Sequence, residues 1–157
     1  MNYISFMEFL IDMRYSINSS YSAKNTLLNI FLDYIKKQNI NTDDVKSIYP
    51  QNFFNSNPAA IIVALPDCIL MVRYKSDNTE QFTNLAHVRI IKKSCIKEIE
   101  MVSKSDTYFK EIDLYSRIQA DIKLDSKEVI TLSNIDDSNE QWKADYSTMI
   151  LEFISFL

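Results

Sequence analysis

The sequence predicts an α+β fold: an N-terminal helix pair, an antiparallel sheet of about seven strands, and one long C-terminal helix. Three observations predict it. Apolar residues recur at helical spacing in the first forty or so positions. From Ala59 the period becomes strand-like. From Trp142 it returns to helical, with Trp142, Tyr146, Met149, Ile150, Phe153 and Leu157 on one stripe.

The first helix is read from Tyr3, Phe6, Met7, Leu10, Met13 and Ile17, and the polar run Asn18 to Ser22 ends it. Ser22 is placed to cap a second helix, with Leu27, Leu28, Phe31, Tyr34 and Ile35 on its apolar face. Lys36 and Lys37 suit its C-terminal end. The short break predicts an antiparallel pair. Thr42-Asp43-Asp44 caps one more turn before Pro50, and Gln51 to Pro58 reads as a connector pinned by Phe53 and Phe54.

Ala59 to Leu65 is apolar throughout and reads as a buried strand. Leu65-Pro66-Asp67 turns the chain into a second strand, Cys68 to Lys75. Ser76 to Gln81 is a loop, Leu85 to Ile91 a third strand and Ile96 to Val102 a fourth. Ser103 to Thr107 is a turn. Tyr108 to Leu124 is long for one strand and is expected to bend near Tyr115. Asp125-Ser126-Lys127 leads into Val129 to Leu132. Ser138-Asn139-Glu140-Gln141 has the form of a capping box for the last helix. These boundaries divide the chain into an N-terminal helical segment, 1–58, packed on a main unit, 59–157.

Composition narrows the chemistry. The 157 residues include no glycine, which excludes a P-loop, a dinucleotide fingerprint and a G-x-S-x-G elbow. Turns must use Asn, Asp, Ser and Pro. A net charge of −4 argues against nucleic-acid binding, which needs clustered Lys and Arg. Two cysteines, Cys68 and Cys95, make no disulfide framework and point to a reducing cytoplasm. The first charges, Glu8 and Asp12, do not fit a secretory signal or a basic membrane-surface helix, and no apolar run is long enough to span a bilayer.

No catalytic residue, metal ligand set or cofactor motif stands out. His87 is the single histidine, on a mixed strand face with Leu85, Arg89 and Ile91. Cys95 lies near Lys92, Lys93 and Lys97; Cys68 shares a strand face with Leu70 and Val72. Asp136, Asp137 and Glu140 are explained as helix-capping charge. Glu98, Glu100, Glu111 and Asp113 read as a solvated sheet face, offset by Lys97, Lys110 and Arg117. Arg73, Lys75, Arg89, Lys92 and Lys93 form the candidate ligand-binding basic patch.

Meandering strands, the acidic turn and the Trp142-containing helix together resemble the pleckstrin-homology-like superfold over Ala59 to Leu157. Ser94-Cys95-Ile96-Lys97-Glu98-Ile99 is similar to the entry to one of its middle strands. The resemblance implies a bent, barrel-like sheet plugged by the C-terminal helix. Lipid-binding members carry Lys and Arg around the first hairpin loop, whereas Leu65-Pro66-Asp67 is short and acidic. The whole chain also resembles an uncharacterised low-GC Gram-positive bacterial family, which implies no activity. The expectation is a cytoplasmic, non-enzymatic module binding a protein partner or a second copy of itself. The alternatives are a weak anionic-ligand or membrane-surface binder and an enzyme of a type that the sequence does not reveal. Trp142 is expected to pack on the sheet near Ile62, Ile90 and Leu132.

Overall fold

A computed structural model describes residues 1–16, 21–55, 57–75, 85–104 and 117–157, with the backbone alone at 11–16, 21–25, 74–75, 85–86 and 103–104. Helix α1 is Tyr3–Ser16 and α2 is Tyr21–Lys37. The strands are β1 (Ser47–Gln51), β2 (Ala60–Ala64), β3 (Cys68–Lys75), β4 (Leu85–Lys92), β5 (Ile96–Lys104), β6 (Arg117–Leu124) and β7 (Val129–Ser133), followed by α3 (Lys143–Ser155). The α+β class follows directly. Among the described residues the strands form two antiparallel sheets, ordered β1-β2-β3-β4 and β5-β6-β7, rather than one bent or closed sheet.

The expected loop Ser76 to Gln81 and the bend near Tyr115 lie outside the described residues. Of the expected turn Ser103 to Thr107, Ser103 and Lys104 instead continue β5, paired with Ile118 and Arg117, and the rest lies outside the described residues. The polar break at Asn18 to Ser22 does so in large part. β1 is the main departure. Its residues precede and overlap the expected connector, yet they pair with β2 in the register Ser47↔Ala64, Tyr49↔Ile62 and Gln51↔Ala60. A strand from before residue 59 is thus built into the main sheet. Pro50 is tolerated because β1 is an edge strand.

Every residue of β2, and Ile69 to Val72 of β3, is buried, so both faces of this hairpin are covered. Direct cross-strand partners share a face, which puts Tyr49, Ile62, Met71 and Arg89 on one side. That side meets α3, because the Tyr49 ring contacts Tyr146 and Phe153. α2 contacts β2 and β3 and so lies across the other side, which carries Ile61, Val63, Leu70 and Val72. β6 keeps simple alternation, burying Ile118, Ala120, Ile122 and Leu124. One apolar cluster runs through the helices and both sheets.

Three non-glycine residues take the left-handed backbone that glycine usually supplies: Asn39 (φ 49°), Asn52 (φ 59°) and Lys127 (φ 67°). At Asn39 the bonds Ile40 N–H to Ile35 O and Asn39 N–H to Lys36 O close a Schellman motif that ends α2. Lys127 completes the tight β6–β7 turn, where its N–H donates to Leu124 O at 2.9 Å.

The expected stripe on α3 is present: Tyr146, Met149, Ile150 and Phe153 are buried. Its start differs from the expected capping box. Asn139, not Ser138, accepts at Oδ1 from the Trp142 N–H at 3.1 Å, and Ser138 donates its hydroxyl to backbone carbonyls. Trp142 precedes the first helical turn and packs against Phe9 and Phe54, with centroids 5.0 and 6.3 Å away. The expected contact with Ile90 is excluded, because Ile90 pairs with Leu70 on the α2 side of the sheet, away from α3.

Candidate functional site: the β3–β4 edge

The five residues of the basic patch sit on β3, β4 and the corner that follows. Arg73 is exposed, directly across from His87. Lys75 ends β3 opposite Leu85, and its side chain lies outside the described set. Arg89 pairs through its guanidinium with Glu128 of the β6–β7 hairpin. Lys92 ends β4, opposite Cys68, and is exposed. Lys93 turns into the 3₁₀ turn Lys93–Cys95 and donates its ammonium to the Phe156 carbonyl.

The patch therefore does not converge on one empty point. The Arg89 hydrogen bond, with Arg89 and Arg73 charge behind it, lowers the Glu128 carboxyl below its ordinary value despite some desolvation. Arg89 is paired with a carboxylate of the same chain, and Lys93 with a backbone carbonyl. Arg89 and Lys93 must leave these partners before either meets an external anion, although an exposed ion pair contributes only about 0–1 kcal/mol.

The strand itself offers more than its charges. Among the described residues β4 pairs only with β3, so its outer backbone groups form an open edge. Val88 and Ile90 lie on the α2 side of the sheet, opposite Val72 and Leu70. Their partners on β3 are fully covered, whereas Val88 is 36% and Ile90 62% exposed. An eight-residue edge strand with exposed β-branched side chains is a template for another strand.

A groove of about 380 Å³ lies between α1 and α3, lined by Glu8, Phe9, Trp142, Asp145, Met149 and Glu152 among others. The Met1 ammonium already occupies one of its carboxylates, Glu152, at 2.7 Å, and donates to Ser47 Oγ at 2.8 Å. Partial desolvation raises the Asp145 carboxyl. The Trp142 Nε1–H is buried and has no acceptor among the described residues.

A buried polar junction joins the two sheets. Asp137 is 3% exposed. Its Oδ2 accepts from the Tyr49 hydroxyl at 2.7 Å and from the Ser133 N–H at 2.9 Å, and its Oδ1 accepts from the Asn52 N–H at 3.0 Å. Around it, Tyr146 donates its hydroxyl to Pro50 O at 2.6 Å, and Gln51 donates its amide to Thr131 O at 2.8 Å. Burial raises the Asp137 carboxyl; the three hydrogen bonds work against that, and Asp136 adds to it. Burial, reinforced by the Asp137 charge, holds both the Tyr49 and Tyr146 phenols well above their ordinary value, so both act as neutral donors. Asp137 is thus a structural acceptor, not the solvated helix-end charge expected from its neighbours in sequence. Asp136 instead accepts from Ser133 Oγ at 2.8 Å.

The remaining candidates are dispersed. His87 is exposed on β4. Cys68 is half-buried and Cys95 exposed, and both are free. Glu98 and Glu100 are exposed, and Lys123 bridges both, where Lys97, Lys110 and Arg117 are the cations expected to offset them. Glu111, Asp113 and Lys110 lie outside the described residues. Among the described residues no three His, Cys, Asp or Glu side chains gather as a metal cluster. No described helix is long and apolar enough to cross a membrane.

No protein-family model, curated protein or solved structure matches the chain.

Proposed function

We propose that the chain is a small non-enzymatic interaction module of pleckstrin-homology-like build that docks a protein strand along β4. The observation that carries this reading is the open β4 edge, where Ile90 is 62% exposed opposite a buried Leu70. Backbone pairing would supply affinity, and the exposed Val88 and Ile90 side chains would supply specificity. The pleckstrin-homology-like part is supported by element order: a four-stranded meander, a three-stranded meander, then a helix packed on β1, β6 and β7. The free cysteines accord with a cytoplasmic setting. A protein partner is favoured over an anionic ligand because Arg89 and Lys93 are engaged within the chain.

Sedimentation velocity of the full chain over a range of concentrations tests the simplest occupant, a second copy. Reversible association that Ile90→Lys abolishes supports docking at β4. A chain that stays monomeric throughout requires a different protein. Saturable flotation with phosphatidylserine vesicles at physiological salt, lost in Lys92→Glu/Lys93→Glu, overturns the protein reading in favour of a membrane surface.

A further inference from the structure

The carboxylate of Asp137 sits where protonation would ordinarily break a structure. Two of its donors, the Ser133 and Asn52 N–H groups, are fixed backbone and cannot reverse. The third, Tyr49, is different. Its hydroxyl lies 2.7 Å from Asp137 Oδ2 and 3.3 Å from Ser133 O, so two acceptors are within its reach. The Ser133 N–H is itself shared between Asp137 Oδ2 at 2.9 Å and Tyr49 Oη at 3.1 Å.

We propose that Tyr49 and Asp137 form a proton joint: when Asp137 takes a proton from solvent, the Tyr49 hydroxyl turns to the Ser133 carbonyl and the two sheets stay joined. With Asp137 ionised, Tyr49 donates to Oδ2. With Asp137 protonated on Oδ2, the new O–H donates to Tyr49 Oη, and Tyr49 donates to Ser133 O. The Ser133 N–H keeps an acceptor in both states, and Oδ1 continues to accept from Asn52. One proton enters, one hydroxyl rotates, and no buried donor is orphaned.

Among the described residues, the titratable groups that face Asp137 are Tyr49 from β1, Asp136 from the turn after β7 and Tyr146 from α3. None is a cation, so no ion pair is lost on protonation. Burial favours proton uptake at a higher pH than for a solvated aspartate.

The test is a carbon-detected NMR titration of the full chain, following the Asp137 carboxyl and the Tyr49 ring carbon that bears the hydroxyl. Amide hydrogen exchange at Asn52 and Ser133 is read alongside. Expected is one shared midpoint for Asp137 and Tyr49, above that of a solvated aspartate, with both amides protected across it. Loss of amide protection at that midpoint would make the pair an acid-opened clasp and overturn the proposal. A Tyr49 resonance that ignores the Asp137 transition would overturn it too. In Tyr49→Phe the protonated carboxyl lacks its acceptor, so exchange at Ser133 should accelerate about tenfold below the Asp137 midpoint and not above it. Equal acceleration on both sides would contradict the joint. If Tyr49→Phe does not fold, the wild-type titration still decides.

Discussion

Tyr49 and Asp137 lie 88 positions apart and meet at 2.7 Å, hydroxyl to carboxylate. The bond ties the first strand of one sheet to the turn that leaves the other, and it does so inside the core. Two further bonds cross the same junction, from Tyr146 to the Pro50 carbonyl and from Gln51 to the Thr131 carbonyl.

Asp137→Ala should therefore be costly. It orphans the part-buried Asn52 N–H, at about 1–3 kcal/mol, and leaves the Ser133 N–H and the Tyr49 hydroxyl with only their longer partners. A total loss of about 2–4 kcal/mol by denaturant unfolding is expected. Glu140→Ala, at an exposed turn position, should stay within about 0.5 kcal/mol of wild type. Similar losses in the two variants would remove Asp137 from the core of the account.

The pH dependence has two components of opposite sign. The folded Asp137 value is raised, so the folded chain binds more protons than the unfolded one between the two values, and stability falls as pH rises through that window. The folded Glu128 value is lowered by Arg89, so its contribution is present above the unfolded value and is lost as pH falls through the folded one. In stability curves against pH, Asp137→Asn should shrink the falling component to the share of Asp145, whose carboxyl is also raised, and Glu128→Gln should remove the rising one. Curves for Asp137→Asn and wild type that differ only by a constant offset would contradict this assignment.

Burial ranks the α3 residues. Phe153 is fully buried, and Phe153→Ala should cost about 3–5 kcal/mol. Trp142 is only half-buried between Phe9 and Phe54, so Trp142→Ala should cost less, about 2 kcal/mol. Urea midpoints check the order. A reversed order would mean that the Trp142 cluster, not the Tyr146–Phe153 stripe, seats the helix.

Thiol labelling of the native protein should proceed at Cys95 before Cys68. Cys95 is exposed, whereas Cys68 is half-buried, and burial and the neighbouring Asp67 raise its thiol against the pull of Lys93. Mass spectrometry of partly labelled chains reads the order directly, and equal rates would refute it.

Much of this fold is legible from local pattern. The stripe from Tyr146 to Phe153 and the Leu65-Pro66-Asp67 turn between β2 and β3 each follow from residues close in sequence. β1 was harder to read. Four of its five residues are buried, on both faces, so they show no alternation, and Pro50 argues against a strand unless its edge position is known. Asp137 looks like helix-end charge until Tyr49 is placed beside it. The basic patch looks free until Glu128 is brought to Arg89 and the Phe156 carbonyl to Lys93, partners 39 and 63 positions away. Charge is local in sequence, but its neutralisation is tertiary. The open β4 edge carries no motif at all, because strand order decides which strand lies at an edge.

Site-specific photocrosslinking tests that edge most directly. A photoreactive residue at position 90 is compared with one at position 151 on the exposed side of α3, where Leu151 is 48% exposed. In living cells position 90 should give a discrete protein adduct, with this chain or with another, that position 151 does not. The adduct should fade when Val88 is changed to Lys in the same chain. Adducts equal in kind and amount at both positions, or none at position 90, would contradict docking along β4.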